Sequence, residues 1–141
     1  MIKRGISLLL ISIFVLGFSA TTFAAYESPQ WSLRSDTIGD WGWATAYLGT
    51  GTSTLYVTVN QSGIHAGEKA HTFWEIYHPG TAKTEQVIDI PVDFYATLIF
   101  DGLNNPGGQY EVFWESKTNN DTQGWYQLHT TSGSSEFYRR K

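Results

Sequence analysis

Period-two alternation on both sides of an Asn-Pro-Gly turn confines this chain to β structure. Residues 95–100 alternate, then Asn104, Asn105, Pro106, Gly107 and Gly108 supply the backbone angles of a tight reversal, and residues 110–116 alternate again. The pattern predicts two half-buried strands, the second returning alongside the first. Tyr110, Val112 and Trp114 share one face of that second strand, and Glu111, Phe113 and Glu115 the other.

The rest of the chain repeats the signal. Residues 25–30 read as a loose leader and 31–35 as a short strand ending in a turn at 36–40. In 41–48, Trp41, Trp43, Thr45 and Tyr47 fall on one face, with Gly42, Ala44, Ala46 and Leu48 on the other. Residues 54–60 form the cleanest strand, with Leu55, Val57 and Val59 toward the core. A strand over 69–78 is aromatic on both faces and stops at Pro79-Gly80; another over 86–92 sets Ile88, Ile90 and Val92 together. Strands at 125–130 and 136–140 complete the set. No segment of helical length shows apolar spacing of three and four. The expectation is an all-β fold: a single antiparallel β-sandwich of the immunoglobulin-like kind, over residues 25–141.

The first 24 residues read as a cleaved signal peptide. Lys3 and Arg4 form a positive start, residues 6–18 an apolar stretch too short to span a bilayer, and Thr22-Phe23-Ala24 a small-residue cleavage site. The expected location is therefore secreted and extracellular, with no membrane span. Cleavage would leave 117 residues, enough for one core, and losing Lys3 and Arg4 takes the formal charge from −4 to −6. An acidic chain of this kind is a poor match for nucleic acid, whose phosphates need a basic field. Arg139-Arg140-Lys141 is the exception, and three charges in a row are most simply a solvated segment.

There is no cysteine, so stability must come from the core alone, and the omission leans toward a bacterial exported protein. Six Trp, eight Tyr and eight Phe supply that core, with Phe14, Phe18 and Phe23 falling in the leader. The strand carrying Leu55, Val57 and Val59, the next strand carrying Trp74, and Gly108, Tyr110 and Val112 opening a later strand together resemble the immunoglobulin-like sandwich. The resemblance covers residues 54–130 and implies a core Trp74 and a tyrosine corner at Tyr110. It lacks the family's two disulfide cysteines, and it implies an architecture without implying an activity.

Chemistry-bearing clusters are few. His65, His71 and His78 lie near Glu68 and Glu75. On one strand face, however, His71 and Glu75 are about 13 Å apart, too far to share an ion, and His78 points the other way. Glu111 and Glu115 are separated by the same about 13 Å, beyond what glycoside hydrolysis uses. No nucleophile elbow is present. Asp101 with Asn104 and Asn105, or Asn119 with Asn120 and Asp121, could offer oxygen ligands to calcium, but these residue types are first of all turn formers. The expectation is no cofactor, no metal site and no catalytic residue.

The aromatic surplus stands apart. Phe73 and Tyr77 oppose Trp74 and Ile76, Phe113 opposes Trp114, and Trp125 opposes Tyr126, so rings occur on both faces of several strands. Either a cysteine-free core uses aromatics as filler, or rings at the surface meet a partner. Rings flanked by Asp and Asn suit sugar recognition, in which apolar faces stack and polar groups bond hydroxyls. Trp41, Trp43, Tyr47, Trp125 and Tyr126, near strand ends, are the candidate ligand-binding residues. The expected function is a secreted non-catalytic binding protein for polysaccharide or cell-wall glycan. The alternative is an antimicrobial or toxin-like effector, or an enzyme inhibitor, directed at an extracellular protein or a membrane.

Overall fold

A computed structural model describes residues 26–104, 108–131 and 134–141. The expected signal peptide, residues 1–24, and its expected cleavage site lie outside the described residues, as do Asn105, Pro106 and Gly107 of the turn. Ten strands run in chain order: β1 (Tyr26–Glu27), β2 (Trp31–Ser35), β3 (Trp41–Tyr47), β4 (Leu55–Gly63), β5 (Thr72–His78), β6 (Lys83–Ile90), β7 (Phe94–Phe100), β8 (Gln109–Ser116), β9 (Thr122–Thr130) and β10 (Glu136–Arg139). They form two antiparallel sheets. In the first, β9 is flanked by β4 on one side and by β1 and β2 in succession on the other, with β7 beyond β4. The second has the order β10-β3-β8-β5-β6. Among the described residues no helix is long and apolar enough to cross a membrane.

Alternation decides what lies between the sheets. Leu55, Val57 and Val59 of β4 face Trp74 and Ile76 of β5 and Tyr110, Val112 and Trp114 of β8 across a continuous apolar core. Trp74 is its centre, edge-on to Tyr126 at 5.4 Å and tilted against Trp114 at 6.4 Å. Strand β3 accommodates the large rings by being small. Gly42, Ala44 and Ala46 pair with Trp114, Val112 and Tyr110, and a Cβ on Gly42 would sit 2.5 Å from Trp114 Nε1. Gly124 has a comparable role in β9. Its φ is +153°, and a Cβ there would overlap the Asn60 carbonyl oxygen of β4.

One polar network ties the sheets together through the core. Gln61 of β4 donates from Nε2 to the Ile90 and Val92 carbonyls at 3.2 and 2.8 Å. Its Oε1 accepts from the Thr72 hydroxyl, which in turn accepts from Trp74 Nε1 at 2.7 Å. Buried amides are tolerated when partnered in this way, and each such bond adds about 0.5–1.5 kcal/mol net.

Three expectations are corrected. Strands β7 and β8 do not pair: β7 lies against β4 in the first sheet and β8 between β3 and β5 in the second. The connection crosses the sandwich because Leu98 and Phe100 on one side and Tyr110 on the other must fill the same core from opposite walls. Tyr110 secures the crossing, its hydroxyl donating to the Asn104 carbonyl with Glu85 Oε2 at 3.2 Å. Burial and the Glu85 charge push its phenol well above the usual range. Residues 26–30 are no loose leader: Tyr26 and Glu27 pair with Thr130 and His129, and Ser28 N–H donates to the Leu128 carbonyl at 2.8 Å. The 86–92 strand begins earlier, at Lys83, and ends at Ile90, because Pro91 has no N–H for the ladder; Val92 is half exposed.

Candidate functional site

What faces inward on β3, β8 and β5 fixes what faces outward. The outer face of the second sheet carries Trp41, Trp43, Thr45 and Tyr47 from β3, Glu111, Phe113 and Glu115 from β8, and Phe73, Glu75 and Tyr77 from β5. The strand register lays these out in rows. Trp41 lies opposite Glu115 and then Phe73; Trp43 opposite Phe113 and then Glu75; Thr45 opposite Glu111 and then Tyr77. Rings and carboxylates therefore interleave across three strands.

The rings support one another. Trp43 and Phe113 are nearly parallel, 5.5 Å apart at 10°, and Tyr77 meets Phe113 edge-on at 6.4 Å. Trp41, Phe73, Tyr77, Phe113, Glu75 and Glu115 line an open groove of about 590 Å³. Adjacent strands are about 4.8 Å apart, so Trp41 and Phe73 stand about 10 Å apart across it, a flat apolar floor with acids set into it.

Cations border the groove. Lys117 Nζ lies 3.4 Å from Glu115 Oε1 and 5.4 Å from the centre of the Phe73 ring. Lys141 Nζ sits 3.8 Å above Trp41. Main-chain bonds fix that placement: Trp43 N–H donates to the Lys141 carbonyl at 3.0 Å, and the Trp43 carbonyl accepts from Arg140 and Lys141. Arg140 Nε donates to Thr45 Oγ1 at 3.0 Å. Burial raises the Glu111 carboxyl above its ordinary range, and the charge of Arg140 opposes the shift. Glu75 Oε2 accepts from Thr84 Oγ1 at 3.0 Å.

Of the five residues expected from sequence, the structure brings three together. Trp41 and Tyr47 are 44% and 38% exposed, with Trp43 half-buried between them, all on this face. Trp41 and Tyr47 are the first and last residues of β3, at the strand ends, and Trp43 lies within the strand. Trp125 lies on the outer face of the first sheet, edge-on to Tyr95 at 6.0 Å. Tyr126 is 1% exposed and packs in the core between Trp31 and Trp74. Of Trp41, Trp43 and Tyr47 only Trp41 lines the groove, together with Phe73, Tyr77, Phe113, Glu75 and Glu115. Their signal was the presence of rings on both faces of 72–78 and 110–116; strand order, which brings them beside Trp41, has no local signature.

The histidines are dispersed. His65 Nε2 and His71 Nε2 meet Asp121 and Asp89, each at 2.8 Å, and the Asp121 contact holds the His65 pKa above its usual value. His78 is buried, with Nδ1 accepting from Thr81 N–H at 3.1 Å. Among the described residues no group of three or more His, Cys, Asp or Glu could hold a metal ion. The turn acids serve turns. Asp101 Oδ1 accepts from Thr54 Oγ1 and Gly102 N–H, and Asn119 Oδ1 accepts from Ile38 N–H.

Fold and face together define a two-sheet antiparallel β-sandwich with a mixed aromatic and carboxylate groove on one outer face. No known family model matches the chain, and no curated protein matches it either.

Proposed function

We propose that this protein is a non-catalytic binding protein that acts outside the cell on polysaccharide or cell-wall glycan, laying the chain along the groove of the second sheet. The observation that carries the reading is the groove itself: four rings on a flat sheet face with two carboxylates among them. Sugar rings present apolar C–H faces and a rim of hydroxyls, and such a surface meets both.

Export belongs to the same reading and is supported by Lys3, Arg4 and the apolar residues 6–18. The intact mass of secreted protein should then begin at Ala25. Immunoglobulin-like kinship is supported by Trp74 at the centre of the core and by the Tyr110 hydroxyl bonded back to Asn104.

Retention on insoluble cell wall, chitin, deacetylated chitin and cellulose, read by intrinsic tryptophan fluorescence, tests the reading. Wild type should be retained by at least one of them. Trp41→Ala and Phe73→Ala should lose about tenfold in affinity, which is about 1.4 kcal/mol, with unchanged melting curves. If none of these glycans retains wild type, the reading fails and a protein target takes its place.

A further inference from the structure

We infer that the glycan held by this groove is cationic, a polymer of amino sugars whose amines are free; the inference rests on the glycan reading above. The protein's own side chains show what the face attracts. Two ammonium groups already lie on its rings, Lys141 Nζ over Trp41 at 3.8 Å and Lys117 Nζ near Phe73 at 5.4 Å. The second also lies 3.4 Å from Glu115. A ring face is electron-rich, and a carboxylate beside it adds a full negative charge, so the pair selects an ammonium over a neutral hydroxyl.

Charge then discriminates among glycans. Glu75 and Glu115 stand within the groove and Glu111 beside it. Lys117 already pairs with Glu115 and Arg140 acts on Glu111, so Glu75, which has no ion pair among the described residues, is the carboxylate that would pair with an incoming ammonium and repel a phosphate or uronic acid. A neutral polymer would gain ring stacking and hydrogen bonds but no ion pair. A polymer with regularly repeated amines gains all three. On the opposite outer face Trp125 and Tyr95 stand among the neutral Asn60, Thr58, Thr97 and Gln127, with the Glu27 carboxylate accepting from Gln127 Nε2 at 3.2 Å.

In this arrangement Lys141 is a built-in competitor. It covers the Trp41 face that a sugar amine would take, and an incoming polymer displaces its side chain while the main-chain bonds to Trp43 remain.

The test compares one sugar backbone in two states, chitin with acetylated amines and chitosan with free amines, using the whole secreted chain. Chitosan should retain the protein at least about tenfold more strongly than chitin, with retention falling as salt rises. Glu75→Gln and Glu115→Gln should each weaken chitosan binding severalfold with unchanged melting. Lys141→Ala should strengthen it about two- to fivefold. Glu27→Gln makes the same charge change on the other outer face and should leave retention unaltered.

Equal retention on chitin and chitosan overturns the inference and leaves the glycan reading standing. Loss on Glu27→Gln equal to that on Glu75→Gln means general charge attraction and also overturns it. Retention on none of the glycans removes the glycan reading and the inference with it.

Discussion

The two outer faces of the sandwich both carry rings and are chemically unlike. On the first sheet, Tyr95 is 72% exposed and meets Trp125 edge-on, Tyr56 stacks on His129 at 5.1 Å, and Thr58 and Thr97 hydroxyls share a 3.0 Å contact. These groups satisfy one another in cross-strand pairs, the ordinary unit of sheet stabilisation. On the second sheet the rings are separated by carboxylates and line a groove. The character of a face therefore comes from the residues that alternate with the rings, and ring count alone does not reveal it.

The comparison breaks most sharply at the underside of the groove. Trp114→Ala removes a ring packed against Trp74 and should cost about 3–5 kcal/mol, enough to unfold the domain or lower its thermal midpoint steeply. A midpoint that barely moves would mean that the two sides of β8 have been exchanged. Next in size is the split between binding and stability. Trp41→Ala should reduce glycan retention about tenfold without moving the melting curve. Trp125→Ala should do the reverse, costing about 1 kcal/mol through its lost pairing with Tyr95 and leaving retention intact. If both variants lose binding equally, the two faces act together and the contrast is false.

A subtler contrast is in pH. Burial beneath Tyr56 holds His129 down to about 4, so the folded protein keeps it neutral where an unfolded chain would take up a proton. Its stabilisation is complete above about pH 6.5 and drains away as the pH falls toward 4. Asp93 and Asp101, held low by hydrogen bonds from Ala70 and Gly63 and from Thr54 and Gly102, lose theirs in a more acidic window. His65, held high by Asp121, acts in the opposite sense, adding stability as it protonates. Melting of wild type between pH 6.5 and 4.5 should therefore fall by about 5 °C more than that of His129→Gln. Parallel curves would show that His129 is hydrated in the folded state.

Much of the fold was legible because alternation leaves no freedom once one face is buried. Leu55, Val57 and Val59 could only point inward together, and the same parity placed Tyr110, Val112 and Trp114. Parity also forbids Trp125 and Tyr126, as strand neighbours, from sharing a face; Leu128, in phase with Tyr126, marks the inward one. The partner of each strand was not legible. A turn of Asn, Pro and Gly reverses the chain equally well within a sheet or between two, and only the competition of Phe100 and Tyr110 for one core decides. The groove was hidden for the same reason, since it is assembled from β3, β8 and β5, which are remote in sequence and adjacent in register.

Strand β7 has a consequence for handling the protein. Phe94–Phe100 reads FYATLIF, without a charge, proline or glycine, and among the described strands it is hydrogen-bonded on one side alone, to β4. A bare seven-residue edge of that composition is a template on which further strands can stack without limit, and concentrated samples should thicken into fibres that bind amyloid dyes. Thr97→Lys, placing one charge at its midpoint, should lengthen the lag before fibres appear and extend the working life of the preparation.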